Sequence, residues 1–349
     1  MQEIMQRYSI PNGALAIAYN DRLLLARGYS WNDGGITTQP DTLFRIASVS
    51  KPFTATGVLL LAQEGKLDLD GAVVDLVDLS AKQGTPDPRL GQITVRMLLQ
   101  HLAGWDRDLT FDPMFETWRI EQGLGIDGPV TQQDIIGFMS GEPLQYDPGT
   151  RFAYSNYGYM LLGRVIEAAS RQSYETYIQD HVLRPIGITQ MQLAGATREE
   201  RLENEVEYFS QGTVQPYDAF NIRLMDAHGG WLASTIDLVR FGALHEKLLN
   251  RTYLDIMFGE PLIGVGESGI YYGCGWHVQV VDGSRVGAWH AGTLSGTTAA
   301  LELRGSGVTW AILFNELNEH DVNAYFDDIG YWMELAGSQV RSPPEGEAF

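Results

Sequence analysis

Apolar and polar positions alternate with a period of two at both ends of the chain. In the middle they recur every three to four residues. Residues 14–19 and 22–29 alternate around Asn20-Asp21, which predicts a β-hairpin with a two-residue turn. Near the other end, residues 271–281 and 285–289 predict strands joined at Asp282-Gly283. Residues 297–303 and 308–315 predict a second hairpin around Gly305-Ser306-Gly307, and 321–336 a closing amphipathic helix. Between these ends lies an apolar helix that follows Lys51, with Pro52 in its first turn, where a missing N–H costs nothing. Further helices are predicted over 94–101, 131–139, 159–169, 174–183 and 238–249. Thr131 and Ser234 cap two of them, and Arg184-Pro185 stops another. Asp33-Gly34-Gly35 opens a loop, 70–92 is turn-rich and 195–230 is irregular. The long loop 103–130 carries Trp105, Phe111, Phe115 and Trp118, as a pocket wall would.

Strands at both ends with helices between them predict an α+β fold: an antiparallel sheet built from the two termini and flanked by helices. Residues 1–64 and 236–336 are expected to form the sheet region and 65–235 a mostly helical region. Residues 337–349 are expected to be a flexible tail. The groove between the two regions is the expected site.

Composition narrows the function. The 349 residues carry 24 basic and 44 acidic side chains, a net charge of −20 with no basic stripe, so nucleic acid is excluded as an expected partner. The apolar runs are too short to span a bilayer. The single cysteine, Cys274, allows no internal disulfide, and no C-x-x-C or H-E-x-x-H pattern supports a metal. The first residues lack a signal-peptide core, so the protein is expected to be cytoplasmic, or exported with its leader removed. No cofactor is expected, and the oligomeric state stays open.

Ser48 and Lys51 are three residues apart at the mouth of the apolar helix, and no other serine has a lysine at that spacing. On a helix the two share a face. A buried lysine with a depressed pKa can take the proton that keeps a serine hydroxyl a poor nucleophile. Tyr154-Ser155-Asn156 is the only Tyr-x-Asn in the chain. Its phenol can relay a proton and its amide can hold a carbonyl. In His290-Ala291-Gly292-Thr293 the glycine permits close approach to a strand edge. The Thr293 N–H can pair with that of Ser48 as an oxyanion hole. His228-Gly229-Gly230 fits the same His-x-Gly pattern but reads as a tight turn. His101, His181, His245, His277 and His320 read as surface or satisfied core histidines.

In order and rough spacing, Ser48-x-x-Lys51, Tyr154-x-Asn156 and His290-x-Gly292 resemble the serine β-lactamase/penicillin-binding-protein-like family. The resemblance covers about residues 10–335 and extends to class C β-lactamases, DD-peptidases, D-aminopeptidases and related esterases. It implies a β-lactamase/transpeptidase-like fold and a serine hydrolase acylated at Ser48, with Lys51 and Tyr154 moving protons. Asn156, His290, Gly292 and Thr293 would serve substrate and oxyanion. The substrate is expected to be a small ester, amide or peptide. His290 stands where class C β-lactamases carry lysine, which weakens a dedicated β-lactamase reading because a neutral histidine offers a hydrogen bond rather than a fixed charge. Trp105, Trp118, Tyr157 and Trp231, taken as pocket aromatics, tilt the expectation to esters with an apolar part. The rivals are a D-amino-acid-specific peptidase, a penicillin-binding sensor or scaffold that deacylates slowly, and an acyltransferase.

Overall fold

Strand β1 (Asn12–Tyr19) is buried along almost its whole length, because it is covered on both faces. Ala14, Ala16 and Ala18 point into one hydrophobic core, and Leu15 and Ile17 point into another. The period-two pattern therefore assigns small residues to one layer and large ones to the other. The computed structural model describes residues 1–31, 36–217, 219–317, 322–338 and 347–349. The expected loop opening at Asp33-Gly34-Gly35 lies outside them, as does His320.

β1 pairs with β2 (Arg22–Ser30) through the expected hairpin, with Asn20 at φ 51° in the turn. Short strands β3 (Phe44–Arg45), β4 (Gln192–Leu193) and β5 (Trp231–Ala233) form a separate three-stranded sheet in the order β3-β5-β4. The main sheet continues with β6 (Ile270–Tyr272), β7 (His277–Val281), β8 (Ser284–Leu294), β9 (Thr297–Arg304) and β10 (Val308–Phe314). Its order is β11-β2-β1-β10-β9-β8-β7-β6, where β11 is Glu347–Ala348, and its pairings are antiparallel. The two ends of the chain thus meet at the β1–β10 pair, with Ala16 opposite Ala311.

Helix Lys51–Gln63 belongs to the first core, as does Thr235–Leu244, while Gln2–Arg7 and Val322–Ser338 cover the opposite sheet face. No helix among the described residues is long and apolar enough to cross a membrane.

One expectation about the strands is corrected. Residues 271–281 do not form one strand but fold into the β6–β7 pair. The Gly273 N–H donates to Trp276 O at 2.8 Å, and Gly275 turns the chain at φ 82°. A Cβ on Gly275 would sit 2.7 Å from Ala55 Cβ, so the break lets the sheet edge press against the serine helix. Most of the expected tail lies outside the described residues, but its last residues pair with β2, with Glu347 opposite Leu23.

Candidate active site

Ser48 sits in a 3-10 turn, Ala47–Ser50, that runs directly into helix Lys51–Gln63. The turn is pinned from behind by the Ile46 N–H, which donates to Trp231 O of β5 at 3.1 Å. Ala47 holds φ 47°, a left-handed conformation that is uncommon for a residue with a side chain. Residues 51–62 of the helix are all buried, so Lys51 enters the interior with no exposed surface.

The three distant motifs converge there. Lys51 Nζ lies 3.0 Å from Ser48 Oγ, and the Tyr154 hydroxyl donates to the same Oγ at 2.9 Å. Lys51 Nζ also donates to Asn156 Oδ1 at 2.9 Å and to the backbone oxygen of His228 at 3.0 Å. Tyr154 precedes helix Asn156–Ser170, whose N-cap is Ser155, and this cap fixes where Tyr154 and Asn156 point.

Burial acts on both Lys51 and Tyr154. It is the largest cause that lowers the Lys51 pKa well below the ordinary lysine value, and the nearby Arg107 guanidinium lowers it further, while Asp112 opposes. Burial also raises the Tyr154 phenol pKa, with the Ser48 hydrogen bond and Arg107 opposing. Both groups are therefore driven to their neutral forms: a free amine beside a protonated phenol.

β8 closes the other side. A Cβ on Gly292 would lie 2.3 Å from Ile46 O and 2.9 Å from Ser48 N, so only glycine lets this strand lie against the serine turn. Thr293 follows it, exposed on the wall of a cavity of about 370 Å³ that also reaches Ser48, Tyr154 and Asn156. His290 lies on the same strand, but its ring is spent on the protein. One ring nitrogen, Nδ1, is 2.7 Å from Ala291 O, and the other, Nε2, is 3.0 Å from the Tyr272 hydroxyl. A Nδ1–H donor to the carbonyl leaves Nε2 to accept from the phenol. The side chain is buried and, through that burial first, neutral. The ring thus supports β8 from within, and His290 also lines the same cavity.

The expected pocket aromatics are also corrected. Trp105 and Tyr157 pack edge to face in the core at 4.7 Å, Trp231 is buried with its indole N–H on Tyr174, and Trp118 faces solvent. The apolar part of the wall comes from Phe115, Trp289 and Phe326.

Four residues escaped the sequence reading. The backbone of His228, read as a turn, accepts from Lys51. His101, read as a surface or satisfied core histidine and not tied to the site, is buried, receives the Ser155 N–H on Nδ1 at 3.1 Å and packs against Tyr154 with ring centroids 4.3 Å apart. Asp112 accepts from Asn156 Nδ2 at 2.7 Å and from Arg107 Nη1 at 3.1 Å. The available signal for Arg107 and Asp112 was their place in the long wall loop. Among the described residues no cluster of three or more His, Cys, Asp or Glu is arranged to hold a metal ion.

A family model described as Beta-lactamase matches residues 1–329. The chain is 31% identical over 249 residues to the "Probable fimbrial assembly protein FimD, serogroup H1" of Dichelobacter nodosus, covering 70% of this chain and 60% of that relative's length. The chain therefore spans less than two thirds of that curated relative. Among solved structures, the octameric penicillin-binding protein homologue from Pyrococcus abyssi superposes with a TM-score of 0.75 at 24% identity, covering 95% of this chain and 76% of that one. The D-amino acid amidase from Ochrobactrum anthropi SV3 complexed with D-phenylalanine gives 0.75 at 22% identity, covering 98% of each chain. At these identities the structural likenesses establish the fold.

Proposed function

Because the chain belongs to the Beta-lactamase family, its match running over residues 1–329, we propose that it is a serine hydrolase that forms an acyl-enzyme at Ser48 on ester or amide substrates. The observation that carries this reading is that one hydroxyl, Ser48 Oγ, lies within 3.0 Å of both a buried amine and a half-buried phenol. The two carbonyl oxygens on Lys51, from Asn156 and His228, can only accept. A neutral amine gives its two N–H bonds to them and keeps its lone pair for the Ser48 O–H. The phenol then donates to Ser48, so a chain of donors runs Tyr154 to Ser48 to Lys51.

In the first half-reaction Ser48 Oγ bonds to the acyl carbon and its proton passes to Lys51. The charge on the carbonyl oxygen meets the N–H groups of Ser48 and Thr293. Collapse breaks the bond to the leaving group, which takes a proton from Tyr154. The phenol is refilled by the proton held at Lys51. Water repeats the sequence on the acyl-enzyme and releases the acid. Asn156 orients the amine and the acyl carbonyl together, and Asp112 holds its amide.

An esterase is the first assignment, since Phe115, Trp289 and Phe326 give the cavity an apolar wall. A peptidase and a weak β-lactamase follow. A panel of p-nitrophenyl esters, nitrocefin and D-Ala-D-Ala peptides ranks them. Ser48→Ala abolishes turnover and labelling by a fluorophosphonate while the fold persists; labelling at full rate in that variant refutes the nucleophile. A stable adduct without product turns the assignment to a sensor, and transfer to an added alcohol turns it to an acyltransferase.

A further inference from the structure

We propose that Arg107 is the substrate-recognition residue of this site and that it selects esters or amides bearing a carboxylate. This rests on the reading of Ser48 as the nucleophile. Arg107 lines the same cavity as Ser48, Tyr154 and Asn156, and it is the only permanently charged side chain among the described lining residues. Lys51 is buried behind the wall and driven neutral. His290, the other place where a cation would be sought, has both ring nitrogens engaged within the protein and is also driven neutral.

The guanidinium is aimed and partly free. It packs over the Tyr154 ring with Cζ 4.8 Å from the centroid. Its hydrogen bond uses Nη1, on Asp112 at 3.1 Å, and its Nε is 3.9 Å from Asp108 Oδ1. The Nη2 side makes no hydrogen bond among the described residues and is left for a ligand. A planar fork already held at one edge by Asp112 is pre-oriented to meet a carboxylate with the other. Among the described residues no carboxylate lines the cavity, so a substrate ammonium would meet a like charge and no partner there. This argues against substrates with a free amine. The net charge of −20 opposes an anion at long range. That field is screened over about 8 Å at physiological salt, whereas Arg107 acts in contact.

The test uses two matched ester pairs, identical except that one member ends in methyl and the other in carboxylate. In the first pair the group is on the acyl chain, and in the second on the leaving alcohol. The wild-type enzyme is expected to favour the carboxylate member of one pair by tenfold or more in kcat/KM. Arg107→Gln is expected to bring that ratio near one, through KM of the carboxylate member, and Arg107→Lys to restore part of it. A ratio near one in the wild type for both pairs, or a ratio that Arg107→Gln leaves in place, overturns the proposal. A change confined to Lys51 would scale both members alike and leave the ratio fixed, so the ratio separates recognition from tuning of the base. Fluorophosphonate labelling of Ser48 in the same variants reports the nucleophile independently. Were that labelling absent, calorimetric binding of a short dicarboxylate to the wild type and to Arg107→Gln would still decide: equal affinities overturn the proposal and weaker binding to the variant supports it.

Discussion

Gly292→Ala gives a direct measure of how tightly β8 must lie against the serine turn. The added Cβ would fall 2.3 Å from Ile46 O, 2.9 Å from Ser48 N and 3.1 Å from Ala47 Cβ. Two of these neighbours are backbone atoms of the turn that carries Ser48, so no side chain can swing aside. To reach 3.0 Å from Ile46 O the strand must retreat by about 0.7 Å, and about 1.1 Å for an ordinary contact. That displacement would widen the gap between the Ser48 and Thr293 N–H groups, and a misplacement near 1 Å costs about 100-fold in rate. The overpacking itself costs about 1–3 kcal/mol of stability. The assay is kcat/KM on an activated ester with the rate of fluorophosphonate labelling, read beside a thermal melt. The expected result is a loss near two orders of magnitude in both rates, with a cooperative melt at slightly lower temperature. A variant that melts like the wild type and retains its kcat/KM would show that the strand and the turn need not touch for catalysis.

Three further perturbations test the rest of the site. Asn156→Ala removes one hydrogen bond from Lys51 Nζ, which keeps Ser48 and His228, and one from Asp112, which keeps Arg107. Each lost hydrogen bond is worth about 0.5–1.5 kcal/mol, so chemical denaturation should register the loss together with a fall in kcat. Because burial first and Arg107 second lower the Lys51 pKa, the base is neutral well below the ordinary lysine range. Log kcat/KM should then climb with pH through the depressed Lys51 value and stay level into the alkaline range, where the raised Tyr154 keeps its proton. A pH–rate profile that begins to rise only near the ordinary lysine pKa would contradict this. His290→Ala removes one hydrogen-bond partner of the buried Tyr272 hydroxyl, which also bonds the Tyr159 side chain. It should lower stability by about 1–3 kcal/mol while Ser48 is still labelled; an unchanged melt with a sharply raised KM would mean that the ring touches substrate after all.

Much of the frame was legible because it follows from local periodicity. The β1–β2 hairpin, the β9–β10 hairpin and the capping boxes at Thr131 and Ser234 are set by residues within a few positions of one another. Ser48 and Lys51 were legible for the same reason, being one helical turn apart. The β6–β7 break was not, because Gly275 answers to Ala55, a residue 220 positions away, rather than to its own neighbours. The buried aromatics misled for a related reason: loop 103–130 and the residues around Trp231 show their hydrophobicity in sequence but not the side on which it is buried.

By itself, then, the order of the amino acids determined most of the elements, the sheet built from both ends and the pairing of Ser48 with Lys51. Only the tertiary structure decided what that amine sees: the carbonyl of His228, the amide of Asn156 tied to Asp112, and a guanidinium on the cavity wall. Hydrophobic period is a property of neighbours along a chain, whereas a proton's affinity and a cavity's charge depend on groups that become neighbours only when water has been excluded between them.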